Sequence, residues 1–340
     1  MIALRAAVFA AFLLLGAASA SIAAANGAIF ATPEQGRAAL TQRDDFVARL
    51  SPFDRAARLK KDAAVSEREY LEFVGASVVA WSADESRRVA TALDTVGERF
   101  RRSKLVFPSG VMLIRTTGSE EGNAAYTRGS AIALPPSVLD DKDADLAQVL
   151  SHELFHIISR RDSRLRDRLY RVIGFEPCPD LVFPADLGAR RITNPDAPRN
   201  DHRIRVGLDG AQVWAIPILY ADSARYDPQR GGEFFDYLQF RFALDAGSGA
   251  APRDVQRPVD LKSLTGFFEQ VGRNTQYLIH PEEILADNFA IALAGKTDVP
   301  TPSIPAEILR ILRDRSNPAA TRDVPAGAPK TAADAAAIPE

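Results

Sequence analysis

Cysteine, tryptophan, methionine and histidine are all scarce in this chain of 340 residues, which has one, two, two and four of them. A single cysteine excludes both an intramolecular disulfide and a metal site built from several thiolates. The net charge of −2 excludes a basic field that would attract nucleic acid or an anionic membrane. Hydrophobic residues at 46% and charged residues at 25% are typical of a globular chain, and exclude a disordered or polytopic membrane protein.

The first twenty residues have the pattern of an export signal. Arg5 precedes an apolar run from Ala6 to Ala18, which is shorter than the roughly 20 residues that span a bilayer. Ala18-Ser19-Ala20 then provides small residues suited to a cleavage site. We therefore expect residues 1–20 to be removed, leaving a periplasmic or secreted protein with no stable membrane span.

The remainder divides into a helical N-terminal region (21–105), a main region (106–316) and an Ala/Pro-rich tail (317–340) that is expected to be disordered. Apolar spacing predicts helices within 32–62, 67–79 and 82–100. After them come a short strand at Val111–Ile114, a strand within 126–134 and a helix at 146–159.

The predicted strand before the helix at 146–159 ends in Pro135-Pro136, which is typical of a sheet edge because proline cannot donate to a ladder. The pattern from 174 to 260 is irregular, with helical spacing returning at 232–244. Further helices are expected at 263–271, 281–294 and 306–313. The expected fold class is α+β, mostly helical with a small mixed sheet.

The helix at 146–159 contains His152-Glu153-Leu154-Phe155-His156. Two histidines four residues apart lie on one helical face, where both imidazoles can bind one metal ion. Glu153 then lies beside the metal, where its carboxylate can take a proton from water. This pattern predicts a hydrolytic zinc site, which ordinarily has three protein ligands and one open position.

A third ligand can come from the sequence His280-Pro281-Glu282-Glu283-Ile284-Leu285-Ala286-Asp287. If Pro281 starts a helix, Glu283 and Asp287 share a face. Glu283 can then bind the metal, while Asp287 accepts the free N–H of a ligand histidine. Glu282 is the alternative ligand, but it has no carboxylate four residues further on.

H-E-x-x-H followed by a helix with E-x-x-A-D resembles the gluzincin class of zinc metallopeptidases, which includes the thermolysin-like enzymes. The resemblance covers the two motif helices and, loosely, the strand before the first. It implies a zincin-like catalytic domain at 106–316, with a long insertion between the motif helices. It also implies zinc bound by His152, His156 and Glu283, Glu153 as general base, and Asp287 as the partner of a ligand histidine.

Several details stay open at this level. The oxyanion donor is one of a group of tyrosines and histidines: His280, Tyr277, Tyr220, Tyr226 or His202. His280 is equally plausible as a helix cap, and His202 is expected in a solvated loop. The strand at 130–134 can either pair with an extended peptide or have a protected edge. The arginines of 160–171 suggest a solvated helix, and Asn194-Pro195-Asp196 suggests a turn.

The first hypothesis is therefore an exported zinc metallopeptidase acting on peptides or proteins, with no nucleic-acid partner. One alternative is a zincin-like protein that serves as a non-catalytic binding or chaperone module. Another is a zinc hydrolase of a non-peptide amide. Only the enzymes need Glu153.

Overall fold

The computed structural model describes residues 22–23, 25–140, 145–245 and 254–316. The expected signal at 1–20 and the tail at 317–340 lie outside these residues. The N-terminal half of the described chain contains β1 (Ile22–Ala23), β2 (Ile29–Phe30), α1 (Pro33–Leu40), α2 (Pro52–Arg58), α3 (Glu67–Ser77), α4 (Ala83–Arg102), β3 (Met112–Arg115), β4 (Tyr126–Arg128), β5 (Ala131–Leu134), α5 (Pro136–Leu139) and α6 (Leu146–Arg160). The rest contains α7 (Ser163–Arg171), β6 (Phe175–Pro177), α8 (Ala185–Ala189), β7 (His202–Leu208), β8 (Ala211–Ala221), β9 (Leu238–Asp245), β10 (Asp254–Val259), α9 (Phe267–Val271), α10 (Pro281–Leu293) and α11 (Ser303–Ser316).

The α+β class expected from the sequence is confirmed, and the first sheet is small and mixed as predicted. Its strand order is β1-β2-β3-β5-β4. β3 is parallel to both β2 and β5, whereas β4 is antiparallel to β5, with Thr127 opposite Ile132. The two strands β1 and β2 come from the N-terminal region, where the sequence predicts only helices.

The predicted edge position of residues 130–134 is wrong. β5 lies inside the sheet, between β3 and β4, and the edge strand is β4. Gly129, at a φ of 60°, turns the chain between β4 and β5, so that the strand expected within 126–134 is in fact a hairpin. The two prolines follow the end of β5, and Pro136 begins α5 rather than marking an edge.

The long segment between the motif helices forms a second sheet that the sequence pattern did not indicate. Its five strands are antiparallel throughout, in the order β10-β9-β8-β7-β6. The helical prediction for 232–244 is wrong, since only Phe234–Tyr237 makes a short 3-10 turn and β9 follows it. In β9, Leu238, Phe240, Phe242 and Leu244 alternate, which is the period of a strand.

One hydrophobic core connects the first sheet, the motif helices and the second sheet. It includes Leu113 and Ile132 from the first sheet and Phe242 from the second. Between α6 and α10, the rings of Phe155 and Phe289 lie 5.5 Å apart, and both side chains are fully buried. This contact fixes the faces of the two helices that carry the motif residues. Among the described residues, no helix is both long enough and apolar enough to cross a membrane.

Candidate metal centre

The candidate site lies between α6 and α10. The Asp145 side chain accepts from the backbone N–H of Gln148 at the start of α6, and Pro281 occupies the first turn of α10. Packing of the two helices brings His152 and His156 opposite Glu282, Glu283 and Asp287, although more than 120 residues separate the two groups in the sequence.

His152 is held between two carboxylates. Its Nδ1 lies 2.8 Å from Oδ1 of Asp287, and its Nε2 lies 3.1 Å from Oε2 of Glu283. Asp287 also accepts a hydrogen bond from the Thr275 hydroxyl. Both nitrogens of His152 thus face a carboxylate oxygen that accepts. Asp287 would keep the Nδ1 proton if a metal ion took the place of the proton between Nε2 and Glu283.

His156 has the same arrangement with a different partner. Its Nδ1 donates to Oε1 of Glu282 at 3.0 Å, and Glu282 also accepts from Ser159 and from the Tyr170 hydroxyl. The Nε2 of His156 is fully buried and has no hydrogen-bond partner among the described residues. Such a buried, unpartnered nitrogen is costly unless something binds it, and a metal ion would do so.

The two adjacent glutamates of α10 therefore face different nitrogens. Oε2 of Glu283 lies 3.1 Å from His152 Nε2 and 3.7 Å from His156 Nε2. Of the four histidine nitrogens in the site, Glu282 contacts the far nitrogen of His156, Nδ1. Ligand bonds of about 2.0–2.1 Å in a tetrahedral site place donor atoms about 3.3 Å apart. The ligand atoms of His152, His156 and Glu283 lie within 4.8 Å of one another and could hold a metal ion.

Glu153 lies on α6, directly after His152, and is buried beside the three possible ligands. Its Oε2 accepts a hydrogen bond of 2.6 Å from the Thr127 hydroxyl on the edge strand β4. Burial raises the pKa of Glu153, and the charges of His152 and Arg160 act against this increase. A base whose pKa is shifted upward is better suited to take a proton near neutral pH.

Asp196 and Arg160 join the site, although the sequence suggested a turn for the first and a solvated face for the second. Oδ1 of Asp196 lies 4.0 Å from His156 Nε2, and Glu153, His156 and Asp196 form a second group that could hold a metal ion. Arg160 donates to Asp196 and to the backbone oxygen of Thr127. The spacing of residues in the sequence could not predict that Asp196 belongs to the site, because a loop between the two motif helices brings it there. Arg160 could have been found, since it lies one turn after His156 on the same helix.

The loop that carries Asp196 is held by the N-terminal region. Asp54 accepts from both the backbone N–H and the hydroxyl of Thr193, and Arg58 donates to the Thr193 backbone oxygen. Arg58 is fully buried and also forms ion pairs with Asp54 and Glu121. One residue further along, Asn194 donates to Oε1 of Glu283 at 2.6 Å. The N-terminal helices thus fix a loop that contacts the candidate ligand Glu283.

The site carries an excess of negative charge. Five carboxylates surround the two histidines, whereas Arg160 is the only permanent cation in contact with this group among the described residues; the carboxylates are Glu153, Asp196, Glu282, Glu283 and Asp287. Burial disfavours the charge of Glu283, but the nearby His156 and His152 lower its pKa to about 2. Burial, together with Glu153 and Glu283, raises the pKa of Asp196 to about 7 despite His156 and Arg160. A divalent cation would offset this charge.

The five candidate oxyanion donors lie in different surroundings. The ring of Tyr277 is 6.3 Å from that of His152, and the residue is 41% exposed, so Tyr277 lies where the site meets solvent. His280 caps α10 by accepting from the N–H of Glu282, and its other nitrogen contacts the backbone oxygen of Arg199. The prediction of a solvated His202 is wrong, because it is 2% exposed and lies between Asp201 and Asp167.

The two other tyrosines are engaged elsewhere. The Tyr226 hydroxyl donates to the backbone oxygen of Gly232, and Tyr220 pairs within β8 and packs against Arg190. Tyr277 is therefore the one member of the five that lies beside the histidines with its side chain open to solvent.

The edge of the first sheet is already occupied at Thr127. Its N–H donates to Asp196 at 2.8 Å, and its backbone oxygen accepts from Arg160 at 3.1 Å. An extended peptide would need these same two groups in order to add a strand at this position. The edge at Thr127 is therefore protected. The two roles left open for 130–134 both required an edge strand, and β5 is not one.

Comparison of the chain with protein-family models, with curated proteins and with solved structures gives no match.

Proposed function

We propose that this protein is an exported zinc-dependent metallopeptidase that hydrolyses peptide bonds, with Glu153 as the general base. The observation that carries the proposal is the convergence of three ligand atoms, from His152, His156 and Glu283, on one buried point beside Glu153. Two imidazole nitrogens and one carboxylate oxygen form a ligand set that suits zinc and leaves one position open for water.

Each histidine of the proposed site is fixed by a carboxylate, Asp287 for His152 and Glu282 for His156. These contacts set the tautomer and the ring orientation, and they make the ligand nitrogens more basic. A zinc ion held by His152, His156 and Glu283 would supply Lewis acidity, which would lower the pKa of water in the site. Glu153 takes the proton from this water as it attacks the carbonyl carbon, and returns it to the leaving amine.

Tyr277 is the proposed donor to the oxygen of the attacked carbonyl. Partial burial beside the site and the charges of Glu283 and Asp196 raise the pKa of Tyr277 well above its usual value, so the phenol stays protonated at neutral pH. A small cavity of about 40 Å³ lies beside Tyr277 and could take only a small apolar group of the substrate. Its apolar lining comes from Ile192, Leu219, Phe234, Leu238 and Ile279.

The test compares wild-type protein with Glu153→Gln, using zinc-loaded protein and fluorescein-labelled, unfolded casein. The glutamine variant should keep its zinc, because Glu153 lies outside the proposed ligand set, while hydrolysis falls by about 10²–10⁴-fold. Glu176→Gln is the matched control, since Glu176 is exposed on β6 and should change neither property.

The other outcomes separate the remaining functions. Zinc binding without hydrolysis of casein by the wild type would contradict the peptidase and favour the non-catalytic binding or chaperone module. If small non-peptide amides are hydrolysed and casein is not, the protein is a zinc amidohydrolase. A wild-type protein that binds no stoichiometric metal would refute all three.

A further inference from the structure

All three polar groups of Thr127 are engaged at the site, two of them with the motif helix α6 and one with the inserted loop. Its hydroxyl donates to Oε2 of Glu153 at 2.6 Å, its N–H donates to Asp196, and its backbone oxygen accepts from Arg160. The residue is fully buried, so water does not compete for these contacts. The resemblance to zinc peptidases and the spacing of the motif give no role to this position.

The hydroxyl bond restricts the Glu153 carboxylate in a specific way. Oε2 is engaged by Thr127, whereas Oε1 forms no hydrogen bond with any described residue. The long glutamate side chain otherwise has several rotamers, and a donor at one oxygen selects the rotamer that presents the other oxygen. Threonine suits this task because branching at Cβ limits its own χ1.

The backbone of Thr127 is itself fixed from two sides. Arg160 contacts the Thr127 oxygen with both terminal nitrogens, at 3.1 Å each, and its Nε donates to the backbone oxygen of His156. Asp196 accepts from the Thr127 N–H at 2.8 Å and from Arg160 at 3.3 Å. The strand edge, the inserted loop and the end of α6 therefore hold the threonine hydroxyl at a constant position relative to Glu153.

We propose that Thr127 is a positioning residue for Glu153, holding one carboxylate oxygen so that the other faces the water of the reaction. This inference rests on the proposed peptidase function. The Thr127 hydroxyl touches neither the proposed metal ligands nor, in this arrangement, the substrate, so it acts through Glu153 alone. The same contacts explain why the edge at Thr127 is closed to strand pairing.

The experiment measures zinc content, kcat and KM for casein in the wild-type exported chain and in four variants of it, of which Glu153→Gln is one. Thr127→Val keeps the shape of the side chain but removes the hydroxyl, and we expect kcat to fall by about 10- to 100-fold with zinc content and KM unchanged. Thr127→Ser restores the hydroxyl and should recover most of the lost kcat. Thr116→Val is the matched control, because Thr116 is also fully buried and its hydroxyl accepts from the N–H of Gly118, away from Glu153.

The outcomes distinguish this inference from the proposed function. If Glu153→Gln abolishes hydrolysis while Thr127→Val is as active as wild type, the positioning role is refuted and the peptidase stands. If Thr127→Ser loses as much kcat as Thr127→Val, the hydroxyl is not the relevant group and the inference is again refuted. The positioning role is supported if kcat falls in Thr127→Val, recovers in Thr127→Ser and is unchanged in Thr116→Val. A wild type that hydrolyses nothing overturns both proposals together.

Discussion

Adjacent glutamates at the start of α10 allow the proposed ligand set to be tested with two nearly identical substitutions. Glu283→Gln removes the negative charge of the side chain whose Oε2 lies 3.1 Å and 3.7 Å from the two inward nitrogens of His152 and His156. Glu282→Gln changes a side chain that contacts the outward nitrogen of His156, at 3.0 Å, and the hydroxyls of Ser159 and Tyr170, but neither inward nitrogen. Both replacements keep the size of the side chain, so neither leaves a cavity in the core.

The two variants should lose zinc affinity to different extents. The glutamine at 282 can still accept from His156 with its amide oxygen. The zinc affinity of Glu282→Gln should therefore fall by about 10- to 100-fold, as it does when other residues that hold a metal ligand in place are changed. This corresponds to about 1.4–2.8 kcal/mol of binding free energy. Glu283→Gln replaces a charged ligand by a neutral amide, and its loss should exceed the roughly 100-fold upper end of that range.

The assay is competition for zinc against a fluorescent chelator, with wild type and the exposed Glu176→Gln as references. Thermal unfolding of the metal-free proteins provides a second readout. Glu282 is buried and accepts from Tyr170 and His156, so Glu282→Gln should destabilise the metal-free fold by about 1–3 kcal/mol. Equal losses of zinc affinity in the two variants, or a greater loss at Glu282, would refute the assignment of Glu283 as the ligand.

Two further predictions concern the surroundings of the site. Arg58→Met leaves the buried carboxylates of Asp54 and Glu121 without their cation, so the free energy of unfolding should fall by about 3–5 kcal/mol in denaturant titration. Arg68 forms an exposed ion pair, so Arg68→Met should lower the free energy of unfolding by less than about 1 kcal/mol. A similar decrease in both variants would contradict a special role for the buried ion pairs of Arg58. Tyr277→Phe removes the proposed oxyanion donor and should lower kcat on casein by about 10²–10³-fold with zinc content unchanged. An undiminished kcat would exclude Tyr277 from that role.

Much of the local structure could be predicted from the sequence because its causes are local. The helix at 281–294 was indicated by proline in its first turn and by Gly295 after its end, and the structure has it at Pro281–Leu293. The four-residue spacings in α6 and α10 likewise determine which side chains share a face. The spacing of His152 and His156 therefore predicts their proximity within one helix without any knowledge of the fold.

The second sheet could not be predicted in the same way. Its strands alternate, but aromatic residues at 234, 235, 237, 240 and 242 also satisfy a helical spacing. Pairing with β8 decides in favour of the strand, and that partner lies about twenty residues earlier in the chain. Sheet pairing is a non-local interaction, so a local pattern that fits both structures cannot choose between them.

The sequence by itself determined the chemistry that is available at the candidate centre: two imidazoles on one helical face, a carboxylate beside them, and two acidic residues on a second helix. Only the tertiary structure decided which oxygen faces which nitrogen. Glu282 and Glu283 are neighbours in the chain, but successive helical residues point about 100° apart, so the packing of α10 against α6 sends them to opposite sides of His156. The contacts of Asp196, Arg160 and Thr127 likewise depend on a distant loop and a strand edge, which folding alone brings to the helix.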